Sequence, residues 1–156
     1  MRQTSVYEQD FIVWSQEQAE LLRTGCWNSL DIENLLEELD NMGNSEKQAL
    51  QSLLRNIISH LLKFQLSSAL QARPGWVEEI SEFRAQAETK LQDTPSLRHY
   101  MNDLFMKAWP QARKIVEKSF RIYGENIHIP SECPYTLEQV LDYDFLPENG
   151  TDNWRT

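Results

Sequence analysis

The sequence contains no cluster of positively charged residues. Its 156 residues include 15 Lys and Arg against 24 Asp and Glu, which gives a formal net charge of −9 at pH 7. The closest approach to a basic run is the pair Arg113-Lys114. Because affinity for nucleic acid depends mainly on clustered Lys and Arg that meet phosphates, this composition argues against a nucleic-acid partner.

Long apolar runs and paired cysteines are missing as well. No stretch approaches the roughly 20 apolar residues that a helix needs to cross a bilayer. The N-terminal residues MRQTSVYEQDF contain no apolar signal-peptide core. Cys26 and Cys133 do not have the spacing of a disulfide framework or a zinc site. We therefore expect no membrane partner and a cytoplasmic location with both thiols reduced.

Glycine and proline are scarce, with five and six residues, and they fall at the ends of stretches with helical periodicity. Patterns typical of helix N-termini, S-x-x-E or S/T-x-x-Q, begin at Ser5, Ser45 and Thr136. Gly25 and Gly43 stand where a helix would stop. The first helix is accordingly predicted to run from Ser5 to about Arg23, with no interruption.

The strongest periodicity lies between Asp31 and Leu66. The apolar positions of its first half are Ile32, Leu35, Leu36, Leu39 and Met42; those of its second half are Leu50, Leu53, Leu54, Ile57, Ile58, Leu61 and Leu62. Both sets follow the helical period. With Gly43 as a stop and Ser45 as a new start, this stretch predicts two antiparallel helices at the centre of a bundle.

The remainder predicts a fourth helix over 76–91, a fifth over 95–123 and a short final helix over 137–141. Pro110 lies inside the fifth, where we expect a kink or break near residues 107–109. The fold class is therefore all-α: a bundle of four to five main helices with a short extended and helical C-terminal segment. We expect one domain over residues 1–149 and a disordered tail at 150–156.

Five blocks of residues resemble a known family. They are Y-E-Q-D-F-x-x-W from Tyr7, L-D-I-E-N-L-L-E-E-L-D-N-M-G-x-S-E from Leu30, H-L-L-K-F-Q from His60, P-S-L-R from Pro95 and E-C-P-Y-T-L-E-Q-V-L-D-Y-D-F-L-P from Glu132. In this order they are similar to the domain of unknown function 29 family of small bacterial proteins. The resemblance implies an all-helical fold and a cyanobacterial source. It implies no activity and no site residues.

Three residues are candidate metal ligands. Glu33 and Glu37 lie one turn apart on the predicted second helix, and His60 lies on the third. If the two helices pair, these side chains could hold a divalent ion, although no E-x-x-H or H-E-x-x-H motif is present. The alternative is a polar seam in which the glutamates pair with His60 and with Lys63 or Arg55. Neither cysteine carries a catalytic signature, and no phosphate-binding or nucleophile motif occurs.

These observations favour a non-enzymatic module that binds another protein or regulates one, with no cofactor. Two alternatives stay open: a metal-dependent enzyme using Glu33, Glu37 and His60, and a bundle that forms a homodimer. The acidic charge would attract a basic partner. The acidic and aromatic segment at residues 135–147 could dock either on its own bundle or on that partner.

Overall fold

The computed structural model describes residues 5–148, and all regular secondary structure in that range is helical. The α-helices are α1 Val6–Gln9, α2 Phe11–Arg23, α3 Ile32–Leu66, α4 Arg73–Asp93, α5 Met101–Ile122 and α6 Leu137–Leu141. Short 3₁₀ helices occur at Trp27–Ser29, Leu70–Ala72 and Pro95–Tyr100. The all-α prediction is confirmed. The predicted tail at 150–156 lies outside the described residues.

Contacts divide the chain into two compact units, residues 1–45 and residues 46–156. The boundary falls within α3, and we describe each unit by itself. The single domain over residues 1–149 stays a prediction. Within residues 5–148, no helix combines the length and the apolar character that crossing a membrane would require.

The predicted helical hairpin at Gly43 is wrong, because α3 is one continuous helix of 35 residues. Only Gly25 and Gly124 have a positive φ among the described glycines, so Gly43 does not end a helix in the left-handed conformation. One glycine costs a helix about 1 kcal/mol, too little to stop a strongly periodic sequence. The Ser45 capping pattern consequently lies inside the helix, where it caps nothing.

Two other helix predictions differ from the structure, the first in full and the second in part. The first predicted helix is two helices, because Asp10 adopts an extended conformation between α1 and α2. The Oδ1 atom of Asp10 accepts a hydrogen bond from the backbone of Val13 at 3.1 Å and so caps α2. Helix α5 is continuous through Pro110, so the break predicted as one alternative there is absent, and the kink stays a prediction. The capping boxes at Ser5 and Thr136 and the left-handed stop at Gly25 are confirmed.

The second unit contains a continuous apolar core. From α3 it takes side chains that are completely buried, namely Leu50, Leu54, Ile57, Ile58, Leu61 and Leu62. From α4, α5 and the segment after them it takes Ile80, Ala87, Ala108, Ala112, Val116 and Val140. The predicted apolar stripe of residues 50–62 is therefore core, as its periodicity indicates.

The C-terminal segment docks on the second unit itself, which settles one of the alternatives left open by the sequence. Arg84 of α4 is 2% exposed and donates hydrogen bonds to backbone carbonyls of residues 139–145. The phenol of Tyr135 donates to Gln65 Oε1 at 2.6 Å. Burial raises the pKa of the Tyr135 phenol and lowers that of Arg84.

Candidate docking groove

The three predicted metal ligands, His60, Glu33 and Glu37, are not part of a metal site in the described residues. His60 Nε2 lies 2.6 Å from Glu79 Oε2 of α4, and His60 Nδ1 lies 2.8 Å from the carbonyl oxygen of Asn56. Glu33 and Glu37 are exposed on the first turns of α3. Across residues 5–148, no three His, Cys, Asp or Glu side chains converge so as to hold a metal ion. The polar contacts of His60 are thus with Glu79 of α4 and with the backbone of its own helix.

The first unit exposes large apolar side chains instead of burying them. Ile12 is 67% exposed, Leu39 63% and Met42 66%. Among its described residues, 5–45, Trp14 is the sole buried hydrophobic side chain. The apolar stripe of residues 32–42, predicted to face the core of a bundle, is therefore mostly open to solvent.

A groove of about 320 Å³ runs between α2 and the first turns of α3. Seven of its ten lining side chains are apolar. Those on α2 are Phe11, Trp14, Ser15, Gln18, Ala19 and Leu22; those on α3 are Leu35, Glu38, Leu39 and Met42. We call this surface the α2–α3 groove.

Hydrogen bonds at one end of the α2–α3 groove fix the start of α3 against α2. Trp14 Nε1 donates to Asp31 Oδ2 at 3.0 Å, and the backbone N–H of Asp31 donates to Gln18 Oε1 at 2.8 Å. Asn34 donates to the same carboxylate from both its side chain and its backbone. The hydrogen bonds from Asn34 and from Trp14 lower the pKa of the Asp31 carboxyl.

A second contact joins α1 to α3. The Tyr7 phenol donates to Glu38 Oε1 at 2.5 Å, and this hydrogen bond raises the pKa of Tyr7 to about 12. Tyr7 also packs edge-on against Trp14, with ring centroids 4.8 Å apart. Phe11 completes the aromatic cluster, 5.6 Å from Trp14. Polar and aromatic contacts thus hold the helices that line the groove together, while Leu39 and Met42 of its lining stay exposed.

The first unit is acidic as a whole. Residues 1–45 contain nine Asp and Glu against two Arg, a formal charge of −7 out of the −9 of the chain. Arg23, the one basic residue in the described part of this unit, lies 3.3 Å from Glu20. Glu17, Glu33, Glu37 and Asp40 are exposed. No basic side chain of the described residues forms an ion pair with any of these four.

The second unit contains a larger cavity, of about 530 Å³, with a mixed lining that includes Trp76, Ser67 and Glu125. Ser67 Oγ donates to Glu125 Oε1 at 2.8 Å and accepts from the backbone of Ala69 at 3.1 Å. These hydrogen bonds close a turn after α3. Glu125 Oε2, in contrast, is buried and has no hydrogen-bond partner among the described residues. We regard this cavity as a second candidate site beside the α2–α3 groove.

The burial of Arg84 and the presence of the groove did not follow from the sequence, for different reasons. A single arginine in a polar helix carries no signal that it will be buried. The groove does have a signal in the sequence, the apolar stripe of residues 32–42, but the same pattern also predicts a helix that faces a core. The charge asymmetry of residues 1–45 could have marked this region as distinct.

Comparison with known proteins identifies the family of this chain but assigns it no activity. No curated protein and no solved structure matches this chain. One family model matches residues 6–146, nearly the whole chain. The chain therefore belongs to the family described as Domain of unknown function DUF29.

Proposed function

We propose that this protein is a protein–protein interaction module and that the α2–α3 groove is its docking surface. The observation that carries the proposal is the exposure of Leu39 and Met42 in a groove with an apolar floor. Contiguous exposed apolar surface with a polar border is typical of interaction sites. Isolated exposed apolar residues would need no explanation, but these line one concave surface.

The size of the first unit supports the same conclusion. It has 45 residues and, in its described part, one buried hydrophobic side chain. Units of roughly 40 residues are close to the lower limit for an independent hydrophobic core. Burying one exposed Leu or Met side chain stabilises a complex by about 1.5–3 kcal/mol. A partner in the groove would thus supply apolar burial that the unit does not obtain from its own residues.

The experiment compares what the wild-type chain and its variants capture from a lysate of the source organism. The groove variant is Leu39→Gln combined with Met42→Gln, which removes apolar surface without changing the net charge. The matched control is Met106→Gln in α5, because Met106 is equally exposed, at 72% against 66% for Met42. Each immobilised protein is exposed to the same lysate, and the bound proteins are identified by mass spectrometry.

We expect a defined set of proteins to bind to the wild-type chain and to Met106→Gln and to be lost from the groove variant. Circular dichroism of the three proteins checks that the groove variant is folded. If the groove variant retained the same bound proteins as the control, the α2–α3 groove would not be the docking surface.

A further inference from the structure

The cavity of about 530 Å³ in the second unit lies among the ends of three helices. Its lining includes Lys63 in the last turn of α3, Trp76 near the start of α4 and Phe120 near the end of α5. Glu125, which follows α5, is the other charged residue of the lining. Small-molecule sites commonly have volumes of about 300–1,000 Å³, so this cavity has room for a small organic ligand.

The carboxylate of Glu125 is only partly satisfied by the protein. Its Oε1 atom accepts a hydrogen bond from Ser67 Oγ at 2.8 Å, whereas its buried Oε2 atom has no hydrogen-bond partner among the described residues. Ser67 cannot serve both oxygens, because a hydroxyl has one hydrogen to donate. A buried carboxylate oxygen without a donor is costly, so a ligand that brings an N–H group to Oε2 would be stabilised there.

Lys63 is a second unpaired charge in the same cavity. Its side chain is partly buried and forms no ion pair or hydrogen bond with any residue from 5 to 148, Glu125 included. Because an ammonium group donates three hydrogen bonds and accepts none, Lys63 would pair with an anionic group of a ligand. The N-terminus of α4, with Ala72 in the cavity lining, has no side-chain cap and also favours negative charge.

These two opposite charges determine which kind of ligand fits the cavity. A ligand with only an ammonium group would be attracted by Glu125 and repelled by Lys63, and a ligand with only a carboxylate would meet the reverse problem. A molecule that carries both groups can satisfy the two residues together. Trp76 and Phe120 add aromatic surface that the apolar part of such a molecule would cover.

From these observations we propose that the cavity binds a free amino acid with an apolar side chain. The ammonium group of the ligand would donate to Glu125 Oε2, and its carboxylate would pair with Lys63. Its side chain would pack against Trp76 and Phe120. This site lies in the second unit, so the inference does not depend on the docking role of the α2–α3 groove.

The test uses isothermal titration calorimetry with the full-length protein and four probes. L-Phenylalanine carries both charges and an apolar side chain. Phenethylamine lacks the carboxylate, hydrocinnamate lacks the ammonium group, and glycine lacks the apolar side chain. The variants are Glu125→Gln, which keeps an oxygen that can accept from Ser67, and Lys63→Met. The matched controls are Glu138→Gln and Lys114→Met, because both residues are exposed and lie outside the cavity lining.

L-Phenylalanine is expected to bind with a Kd below about 1 mM, and the other three probes at least about tenfold more weakly. Glu125→Gln should weaken the binding of L-phenylalanine about tenfold, because a hydrogen bond to a charged group is lost. Lys63→Met should weaken it about threefold or more, since this ion pair is less buried. The two control variants should leave the Kd unchanged.

The same titrations can show the proposal to be wrong. If phenethylamine or hydrocinnamate bound as tightly as L-phenylalanine, one of the two charged residues would take no part and the ligand would not be an amino acid. Equal binding of glycine would mean that the aromatic surface does not contact the ligand. Absence of binding with a Kd below about 10 mM, or equal losses for Glu125→Gln and Glu138→Gln, would exclude this cavity as an amino-acid site. Circular dichroism checks the folding of each variant, and the comparison of the four probes on the wild type decides the matter should a variant not fold.

Discussion

Arg84 Nε donates a hydrogen bond to the carbonyl oxygen of Val140 across 2.8 Å. The same guanidinium donates through Nη1 to Phe145 at 2.9 Å and through Nη2 to Gln139 at 3.0 Å. Two of these carbonyls belong to the last turn of α6, where no intrahelical donor remains for them. One buried side chain therefore caps a helix and fastens the segment that follows it.

Replacing Arg84 by Met is expected to lower the free energy of unfolding by about 2–4 kcal/mol, because buried carbonyls lose a charged donor. Urea denaturation followed by circular dichroism measures this loss. Arg113→Met is the control: Arg113 is partly exposed and forms its ion pair with Glu117 at 3.1 Å, so its loss is expected to cost less than about 1 kcal/mol. Equal losses for the two variants would contradict the role assigned to Arg84.

Because α3 is continuous at Gly43, we expect that replacing this glycine by alanine stabilises the protein. A Cβ atom added at Gly43 would meet nothing within 4 Å, and its backbone is helical. Gly43→Ala is therefore expected to raise the free energy of unfolding by about 0.5–1 kcal/mol, the difference in helix propensity. Thermal unfolding followed by circular dichroism provides the measurement.

Gly124 is a matched control for that substitution. An added Cβ there also meets nothing within 4 Å, but φ at Gly124 is +71°. Gly124→Ala should therefore destabilise the protein by about 1 kcal/mol, through backbone strain alone. If Gly43→Ala were as destabilising as Gly124→Ala, the chain would turn at Gly43 and the hairpin predicted from the sequence would be correct.

Asp31 makes the stability of the first unit dependent on pH. Its folded-state pKa is lowered, first by the hydrogen bond from Asn34 and also by the one from Trp14. A carboxyl with a lowered pKa contributes stability above its unfolded pKa of about 3.9, and that stability is lost as the pH falls through the folded pKa. Asp31→Asn keeps a side-chain oxygen at the N-terminus of α3 and removes the charge.

We expect the wild type to lose more stability than Asp31→Asn when the pH is lowered from 5 to 3. Urea denaturation at a series of pH values measures this difference. A difference that stayed constant over the whole range would show that the carboxylate of Asp31 does not gain from its hydrogen bonds in the folded state.

The sequence was sufficient for two helix starts that depend on local chemistry. The capping boxes at Ser5 and Thr136 predict two helix starts because the residues that satisfy each other are three positions apart. The helix end predicted at Gly43 is wrong because its position in the sequence is ambiguous. A glycine that follows an amphipathic stretch can lie at the end of a helix or in its interior. Only packing elsewhere along α3 distinguishes the two, and that information is not local.

The candidate groove is a second feature that local sequence patterns do not predict. Periodicity identifies the apolar face of a helix, but it does not identify what covers that face. Ile32 and Leu50 are 18 residues apart, which is five turns of an α-helix, so the stripes of residues 32–42 and 50–62 follow one pattern. The structure buries Leu50 completely and leaves Ile32 54% exposed. This difference in burial depends on tertiary contacts, and the residue types at the two positions do not predict it.

A pair of substitutions on α3 tests that difference directly. Leu36 and Leu54 are also 18 residues apart on this helix; Leu36 is 58% exposed, whereas Leu54 is completely buried. Leu54→Ala is expected to lower the free energy of unfolding by about 2–5 kcal/mol, because it leaves a cavity in the core. Leu36→Ala should change it by less than about 0.5 kcal/mol, as is usual for surface positions.

Urea denaturation of the isolated protein measures both substitutions under identical conditions. Alanine is a strong helix former, so neither change weakens α3 through its intrinsic propensity. A loss of 2 kcal/mol or more for Leu36→Ala would mean that Leu36 is covered in solution and that the difference in burial between Leu36 and Leu54 is wrong.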